Sequence, residues 1–281
     1  MRPPSVSPRT SWPLLSGGLP LAIALASRLA ACELTNGNSV VLINSTSSAG
    51  MYEWTVDGVS ELYQQSFWFR VGNTGPQTPV YSLNNLTNIQ TTSTAATTEN
   101  ANRQLDFSIL YTLTGGATNS GSSRLTETVT IRNLTAASLS LHFFQYADFD
   151  LAASDAGDTL QLSKTSAVFT SAQQTKTDAV ATETLDTPAN HGEAGLNNLV
   201  YSQLASGRAI TLTDVASPVG PGDAAFGFEW DTDLAAHSSF TVILSKGVRD
   251  LQAVPEASSG ALFCLGLAAG ALKRKSRTCA G

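Results

Sequence analysis

The sequence predicts an all-β protein, built as a large antiparallel β-sandwich of the jelly-roll or double-sheet type. Three observations predict this class. About a dozen short runs show the period-two alternation of strands, Thr/Ser/Asn/Gly turns separate them, and helical periodicity is almost absent. Charged residues make up 14% of the chain and hydrophobic residues 42%, a balance common in exported β-rich proteins. We expect an N-terminal signal helix and a C-terminal transmembrane helix to flank the sandwich.

The first segment, residues 1–31, has the pattern of an export signal. Arg2 and Arg9 precede an apolar run, and an A-x-A cleavage sequence occupies residues 24–26. Residues 29–32 offer an alternative, because Leu-Ala-Ala-Cys resembles a bacterial lipobox in which Cys32 is lipidated. Glycines and a proline inside residues 17–20 argue against a buried structural helix. The segment therefore predicts export, with either cleavage or lipidation.

The body, residues 33–252, is predicted to be one domain because no break in composition divides it. Its longest strand signal covers 138–151, and a polar stretch, 72–102, is predicted to be a connection. The other predicted strands are 39–44, 51–56, 59–71, 105–113, 125–134, 160–170, 179–185, 199–204, 209–213, 224–230 and 240–244.

Charge and cysteine content exclude several functions for the body. One of the 22 acidic residues and seven of the 16 basic residues lie in the leader and the tail, which leaves the body 21 acids, 9 bases and a net charge of −12. Such a surface opposes nucleic-acid binding, which requires positive charge. The three cysteines, Cys32, Cys264 and Cys279, lie at the edges, so the body has no internal disulfide, cysteine metal site or cysteine nucleophile.

Four aspartates form the best candidate site in the body. Asp148, Asp150, Asp155 and Asp158 provide the oxygen ligands that calcium prefers, although their spacing departs from that of an EF-hand. Asp148 and Asp150 are two residues apart in a predicted strand and should share one face. A calcium site is one interpretation, and a solvated rim is the other. No other cofactor is predicted.

Other acids allow a weaker enzymatic hypothesis. Asp231 and Asp233, with Glu53, Glu61 or Glu229 as a partner, could supply the carboxylate pair of a glycoside hydrolase. Aspartates are also ordinary turn residues, so the pattern is not specific. The three histidines, His142, His191 and His237, form no zinc motif, and no serine-hydrolase motif occurs. His142 is predicted to be a packed or surface residue of a strand.

Aromatic residues also allow two interpretations. Trp54, Trp68, Trp230, Tyr52 and Tyr63 would form a sugar-stacking platform if they were exposed. Alternating aromatic residues in strands more often form the core of a sandwich, and we expect that here.

The C-terminal segment, residues 254–277, has three parts. A short turn precedes an apolar run, 257–272, and a basic cluster closes it. The turn begins Val254, Pro255, Glu256; the bases are Lys273, Arg274, Lys275 and Arg277. This order resembles the PEP-CTERM sorting signal, although Ala257 replaces its second proline. The resemblance implies processing by an exosortase-type transpeptidase, transient anchoring in the inner membrane by the apolar run, and release to the cell surface or exterior.

Stretches of the body, such as 143–151, resemble the uncharacterised β-rich bodies of PEP-CTERM proteins. The resemblance implies an exported, non-enzymatic surface or matrix protein of a biofilm, with extracellular polysaccharide as an expected partner. The alternatives are a carbohydrate-binding module or adhesin, and a secreted glycan-active enzyme.

Overall fold

A computed structural model describes residues 31–83 and 90–251. The predicted signal helix, the sorting residues Val254, Pro255 and Glu256, the apolar run and the basic cluster from Lys273 to Arg277 lie outside the described residues. Within the described ranges, no helix is long and apolar enough to cross a membrane.

The described chain is all-β, with almost no helix. Its first ten strands are β1 Cys32–Asn36, β2 Ser39–Asn44, β3 Gly50–Val56, β4 Val59–Leu62, β5 Gln64–Val71, β6 Thr78–Pro79, β7 Gln90–Thr91, β8 Ala95–Ala101, β9 Leu105–Gly115 and β10 Ser122–Asn133. The remaining strands are β11 Leu139–Asp148, β12 Asp158–Thr165, β13 Val168–Thr175, β14 Ala179–Ala189, β15 His191–Leu196, β16 Val219–Gly222, β17 Ala224–Leu234 and β18 Ser239–Asp250. A 3-10 helix, Val80–Ser82, and one α-helix, α1 Leu199–Leu204, complete the elements of the described ranges.

The strands form two sheets. Sheet A has the order β1-β2-β3-β5-β11-β17-β15, with β4 added to β3 and β6 added to β5. Sheet B has the order β16-β12-β13-β14-β18-β10-β9-β8-β7. Neighbouring strands are antiparallel except for a short parallel contact between β3 and β5. The prediction of an all-β protein with antiparallel sheets is therefore confirmed.

One hydrophobic core joins the inner faces of the two sheets. Phe107 of sheet B lies between Phe69 and Phe143 of sheet A, with ring centroids 5.0 Å and 6.2 Å away. The alternation that predicted β9 places its odd-numbered residues from Leu105 to Leu113 in this core. Burying one such side chain contributes about 1.5–3 kcal/mol. Trp54 and Trp230 are also buried here, as the strand pattern predicts.

A group of charged residues interrupts this core. Lys246 of β18 contacts Glu127 of β10 at 2.7 Å and Glu183 of β14 at 3.5 Å, and all three side chains are fully buried. Gln65 and Gln145 of sheet A donate to these two carboxylates across the sheet interface, at 2.9 Å and 3.0 Å. The two sheets are thus joined by polar contacts in addition to the apolar ones.

Several local predictions were wrong. The predicted strands 59–71 and 160–170 are each two strands, divided at Tyr63 and at a turn over 166–167. Residues 199–204 form α1 rather than a strand, because Val200 and Leu204 bury one helical stripe against sheet A. Residues 209–213 cross the sheet as an irregular segment. The stretch 72–102 contains β8, whose ladder with β9 requires only backbone groups and small side chains.

Candidate functional site

The outer face of sheet A, which points away from sheet B, carries two groups of titratable residues. Hydrophobic packing covers the middle of this face, where α1 and Leu212 lie on Trp68, Phe144 and Tyr146. One titratable group lies beyond the packed patch at each end. We call the first the histidine cluster (Arg70, His142, His191, Asp214, Glu229 and Asp231) and the second the aspartate cluster (Asp148, Asp150 and Asp223).

Strand register assembles the histidine cluster. His142 of β11 lies opposite Asp231 of β17 on one side and Arg70 of β5 on the other. His191 of β15 lies opposite Glu229 of β17. Because side chains on one face recur every second residue, Glu229 and Asp231 point the same way. Four neighbouring strands therefore bring these side chains together.

Two histidines contact Asp231. Its Oδ1 atom lies 2.6 Å from Nδ1 of His142, and its Oδ2 atom lies 3.5 Å from Nε2 of His191. Nε2 of His142 is 3.1 Å from the side-chain oxygen of Asn73, and Nδ1 of His191 is 3.2 Å from Asp214. Each imidazole ring thus bridges Asp231 and a second oxygen, which fixes its orientation.

Exposure divides the cluster into an open rim and a closed floor. The side chains of Asp231, His191 and Asp214 are 32%, 29% and 40% exposed, whereas His142 is 12% exposed and Glu229 is 0% exposed. A bound molecule would therefore meet Asp231 and His191 first, with Glu229 beneath them.

Burial raises the pKa of Glu229 well above its usual range, and the nearby Asp231 carboxyl raises it further. The backbone N–H of Leu212 donates to Oε2 of Glu229 at 2.8 Å and opposes this shift. Oε1 has no hydrogen-bond partner and lies 3.4 Å from Nδ1 of His142, which is already used by Asp231. Burial therefore favours the protonated form of Glu229.

Residues 205–218, the covering segment, close the floor of the cluster. Arg70 and Gln77 donate to its Ile210 carbonyl oxygen at 2.6 Å and 3.0 Å. Its Thr213 N–H donates to Glu193 of β15 at 2.9 Å. The segment lacks regular structure, so polar side chains of sheet A satisfy backbone groups that would otherwise lack partners.

The aspartate cluster includes two of the four residues predicted to bind calcium. Asp148 and Asp150 lie together with Asp223, and each offers a carboxylate oxygen within 4.8 Å of the others. Asp155 is exposed. Asp158 is buried apart from the cluster, where it accepts from Gln174 at 2.9 Å and lies 3.8 Å from Lys176. Burial raises the pKa of Asp158 to about 6 and that of Asp148 to about 7.

Sequence reasoning missed Asp223, although a signal existed. Asp223 directly precedes β17, and Asp148 ends β11, its antiparallel neighbour. The last residues of one strand lie beside the first residues of the next, so pairing these two strands would have predicted the contact.

The acids that were predicted to be catalytic do not all lie in one site. Glu229 and Asp231 meet in the histidine cluster, whereas Asp233 is exposed farther along β17. Glu61 accepts from the Ala152 N–H at 3.0 Å, on another part of the molecule. Glu53 lines an open groove together with Tyr52 and Tyr63. The histidines were missed as site residues because no motif links positions 142 and 191; only strand pairing does.

An open groove of about 850 Å³ lies near the aspartate cluster. Its walls include Tyr52, Tyr63 and Tyr201, together with Glu53 and Asn198. Tyr63 is 59% exposed, unlike the buried tryptophans. Of the residues in the predicted aromatic platform, Tyr52 and Tyr63 line this open groove.

The possible lipidation site, Cys32, is the first residue of β1. Its side chain is buried, and burial raises the pKa of its thiol to about 11. Lipidation of Cys32 stays a prediction.

No protein-family model matches the chain, and no curated protein matches its sequence. Solved structures share its fold at low sequence identity. A protein from Escherichia coli K12 assigned as an aldose 1-epimerase has a TM-score of 0.53 at 11% identity, covering 79% of this chain and 99% of that protein. A galactose mutarotase-like protein from Clostridium acetobutylicum has a TM-score of 0.50 at 9% identity, covering 78% and 94%.

A bacterial glucoamylase in complex with acarbose has a TM-score of 0.53 at 12% identity. The match covers 82% of this chain but only 32% of the glucoamylase, so this chain corresponds to about a third of that protein.

These findings correct the predictions that rested on the PEP-CTERM resemblance. The body has the fold of aldose 1-epimerase and galactose mutarotase-like proteins, and no family model supports a PEP-CTERM assignment. The prediction of a non-enzymatic matrix protein was therefore wrong. The predicted partners, an exosortase-type transpeptidase, the membrane and matrix polysaccharide, were wrong for the same reason.

Proposed function

We propose that the protein is a carbohydrate-active enzyme that interconverts the two anomers of an aldose. One observation carries the proposal: Asp231, exposed at the rim of the histidine cluster, lies between His142 at 2.6 Å and His191 at 3.5 Å. The fold shared with the Escherichia coli protein assigned as an aldose 1-epimerase supports the same reaction class. The histidine cluster supplies proton donors and acceptors close together, which this reaction requires.

Anomer exchange needs two proton transfers and no other reagent. In the ring-opening step, the Asp231 carboxylate takes the proton of the O1 hydroxyl, and the O1–H electron pair forms the C1=O1 double bond. The C1–O5 bond breaks, and its electron pair takes a proton from the His191 imidazolium. Rotation about the C1–C2 bond presents the other face of the aldehyde. Ring closure then reverses both transfers and returns Asp231 and His191 to their starting states.

His142 and Glu229 act as positioning residues in this scheme. The 2.6 Å contact with His142 holds the Asp231 carboxylate in one orientation. Burial favours the neutral form of Glu229, which disfavours a second negative charge in the floor beside Asp231. The sugar oxygens therefore face Asp231 and His191 directly, with no charge favoured beneath them at Glu229.

Glycoside hydrolysis fits the geometry less well. Hydrolases place two carboxyl groups on opposite sides of the scissile bond, about 5–5.5 Å or 6.5–9.5 Å apart. The carboxyl oxygens of Glu229 and Asp231 approach within 4.8 Å on one side, with His142 in contact with both. No space for a glycosidic bond separates them.

Polarimetry of freshly dissolved α-D-glucopyranose and α-D-galactopyranose tests the proposal. We expect the full chain to accelerate the approach to the anomeric equilibrium above the buffer rate. Asp231→Asn should lower kcat by about 10²–10⁴-fold, because it removes the general base. Asp233→Asn is the matched control, since Asp233 is exposed two residues along the same strand. Equal rates for Asp231→Asn and the unaltered protein would refute the assignment, as would no acceleration with any aldose.

We also propose that the protein acts after export and that residues 33–252 form one domain. The leader-like sequence of residues 1–31 supports export, and the core shared by both sheets supports one domain. N-terminal sequencing of protein from cell fractions tests export and separates cleavage after residue 26 from processing at Cys32. Retention of the whole chain in the cytoplasm with an intact N-terminus would exclude export.

A further inference from the structure

We infer that the aspartate cluster is a calcium site, formed by Asp148, Asp150 and Asp223 at the opposite end of the outer face from the histidine cluster. Asp148 ends β11 and Asp223 directly precedes β17. All three carboxyls lie on the outer face with Tyr146 and Ala225. Asp148 and Asp150 are two and four residues from Tyr146, and Asp223 is two residues from Ala225, which pairs with Asp148. Their closest ligand atoms lie within 4.8 Å of one another.

An unpaired buried oxygen points to a missing ligand. Asp148 is 2% exposed, its Oδ2 atom accepts from the Tyr146 hydroxyl at 2.9 Å, and its Oδ1 atom has no hydrogen-bond partner. A buried carboxylate oxygen without a partner is costly. Tyr146 orients the carboxyl so that one oxygen is used and the other is free to bind a cation.

Among the described residues, no cation makes a close ion pair with the cluster, although the charge of Lys176 acts on Asp150 from a greater distance. Within residues 31–83 and 90–251, no Lys, Arg or His forms an ion pair within 4 Å with Asp148, Asp150 or Asp223. The nearby Lys176 instead donates to the carbonyl oxygens of Leu151 and Ser154, and lies 3.8 Å from Asp158. Three converging carboxyls without a cation in direct contact repel one another.

The donor set fits calcium. Calcium takes six to eight oxygen ligands, with carboxylates and waters mixed in flexible geometry. Asp150 and Asp223 are partly exposed, so water can complete the shell. The Asn198 side-chain oxygen lies 3.3 Å from the Tyr146 hydroxyl, at the edge of the cluster. No histidine or cysteine ligand is present in the cluster, so the softer transition metals are disfavoured.

The site is separate from the proposed catalytic cluster. His142 and Asp148 lie six residues apart on β11, roughly 20 Å along an extended strand. Tyr63 and Asn198 connect the aspartate cluster with the open groove: the Tyr63 N–H donates to the Asp148 carbonyl oxygen at 3.0 Å, and both side chains line the groove. A bound calcium would therefore order one wall of the groove without touching the histidine cluster.

Calorimetric titration of the chelator-treated full chain with CaCl₂ tests the inference, with thermal unfolding as a second readout. We expect one calcium per chain and a rise of about 5 °C in Tm at saturating calcium. Asp150→Asn and Asp223→Asn should each weaken binding at least about tenfold, because each removes a charged ligand. Both positions are partly exposed, so both variants should fold even if Asp148→Asn does not.

Asp186→Asn is the matched control, since Asp186 is an exposed acid on sheet B. It should bind calcium as the unaltered protein does. The inference fails if calcium produces neither heat nor a Tm shift at about 10 mM, which is roughly tenfold above the Kd of the weakest protein calcium sites. It also fails if Asp223→Asn binds as tightly as Asp186→Asn, or if magnesium produces the response and calcium does not.

Discussion

Replacing Lys246 with methionine tests how the two sheets are joined. Lys246 is the only cation within 4 Å of Glu127 and Glu183 among the described residues, and the three side chains are 0% exposed. Methionine keeps most of the side-chain volume but removes the charge. Two buried carboxyls then remain in the core without a counter-ion.

Removing one partner of a buried ion pair costs about 3–5 kcal/mol. Gln65 and Gln145 still donate to the two glutamates, so we expect the lower part of this range. For a domain of this size each kcal/mol lowers the Tm by about 2–4 °C, so the Tm should fall by about 10 °C. Calorimetry and urea unfolding measure the two quantities.

The matched variant is Lys246→Met combined with Glu127→Gln and Glu183→Gln, which removes the stranded charges as well. It should recover at least about half of the lost stability, because neutral groups of similar shape replace the ions. The deficit of the single variant should also shrink at acidic pH, where the carboxyls are protonated. Equal stability of the single and triple variants, or a cost of less than about 1 kcal/mol for Lys246→Met, would refute the role of the buried charge.

Three further predictions concern pH, packing and proton transfer. Burial raises the pKa of Glu61 from 4.5 to about 7, so its contribution to stability is full below pH 4.5 and is lost as pH rises through 7. Glu61→Gln should remove a pH dependence of about 3 kcal/mol from urea unfolding, and an unchanged pH profile would contradict this. Gly115→Ala should cost about 2 kcal/mol, because an added Cβ would collide with the Asn36 carbonyl oxygen. Gly247→Ala should cost less, because its Cβ would meet the Thr182 hydroxyl at 3.3 Å and the Ser123 carbonyl oxygen at 3.8 Å. Glu229→Gln should retain most of the mutarotase activity near neutral pH and lose the fall in kcat at alkaline pH, because glutamine mimics the protonated acid; a profile identical to that of the unaltered protein would exclude Glu229 as a positioning residue.

The sequence was sufficient to predict the fold class because strand alternation is a local signal. The odd positions of β9 read as core residues in the sequence and are core residues in the structure. Strand β8 was missed because Ala95–Ala101 contains only alanine, threonine, glutamate and asparagine, and its partner β9 provides the large side chains. Helix α1 was misassigned because six residues are too few to distinguish helical from strand periodicity.

The sites were harder to predict, because they depend on which strands are neighbours. Asp231 and Glu229 were identified as chemically interesting acids, but His142 and His191 join them only through the pairing of β11, β17 and β15. Asp148 and Asp150 were identified correctly as close neighbours, whereas Asp223 lies just before β17, 75 residues after Asp148 in the chain. Alternation predicts which face of a sheet a residue occupies, but it does not show which strands, distant in sequence, lie side by side.

The resemblance of the tail to a sorting signal led to the wrong function for the body. A sorting signal determines where a protein is delivered, and it does not determine the chemistry of the domain that carries it. The fold and the histidine cluster therefore had to come from the structure.

The covering segment has a consequence for catalysis. Leu212 donates to Glu229 and Ile210 accepts from Arg70, so movement of this segment would admit water to both groups at once. Displacement removes the Leu212 N–H, which lowers the pKa of Glu229, but it also relieves burial, which is the larger cause and raises that pKa. Glu229 would therefore release its proton more readily when the segment is displaced. The proton affinity of Glu229 thus depends on the position of the covering segment. A sugar that holds the segment in place would also hold Glu229 in its neutral form.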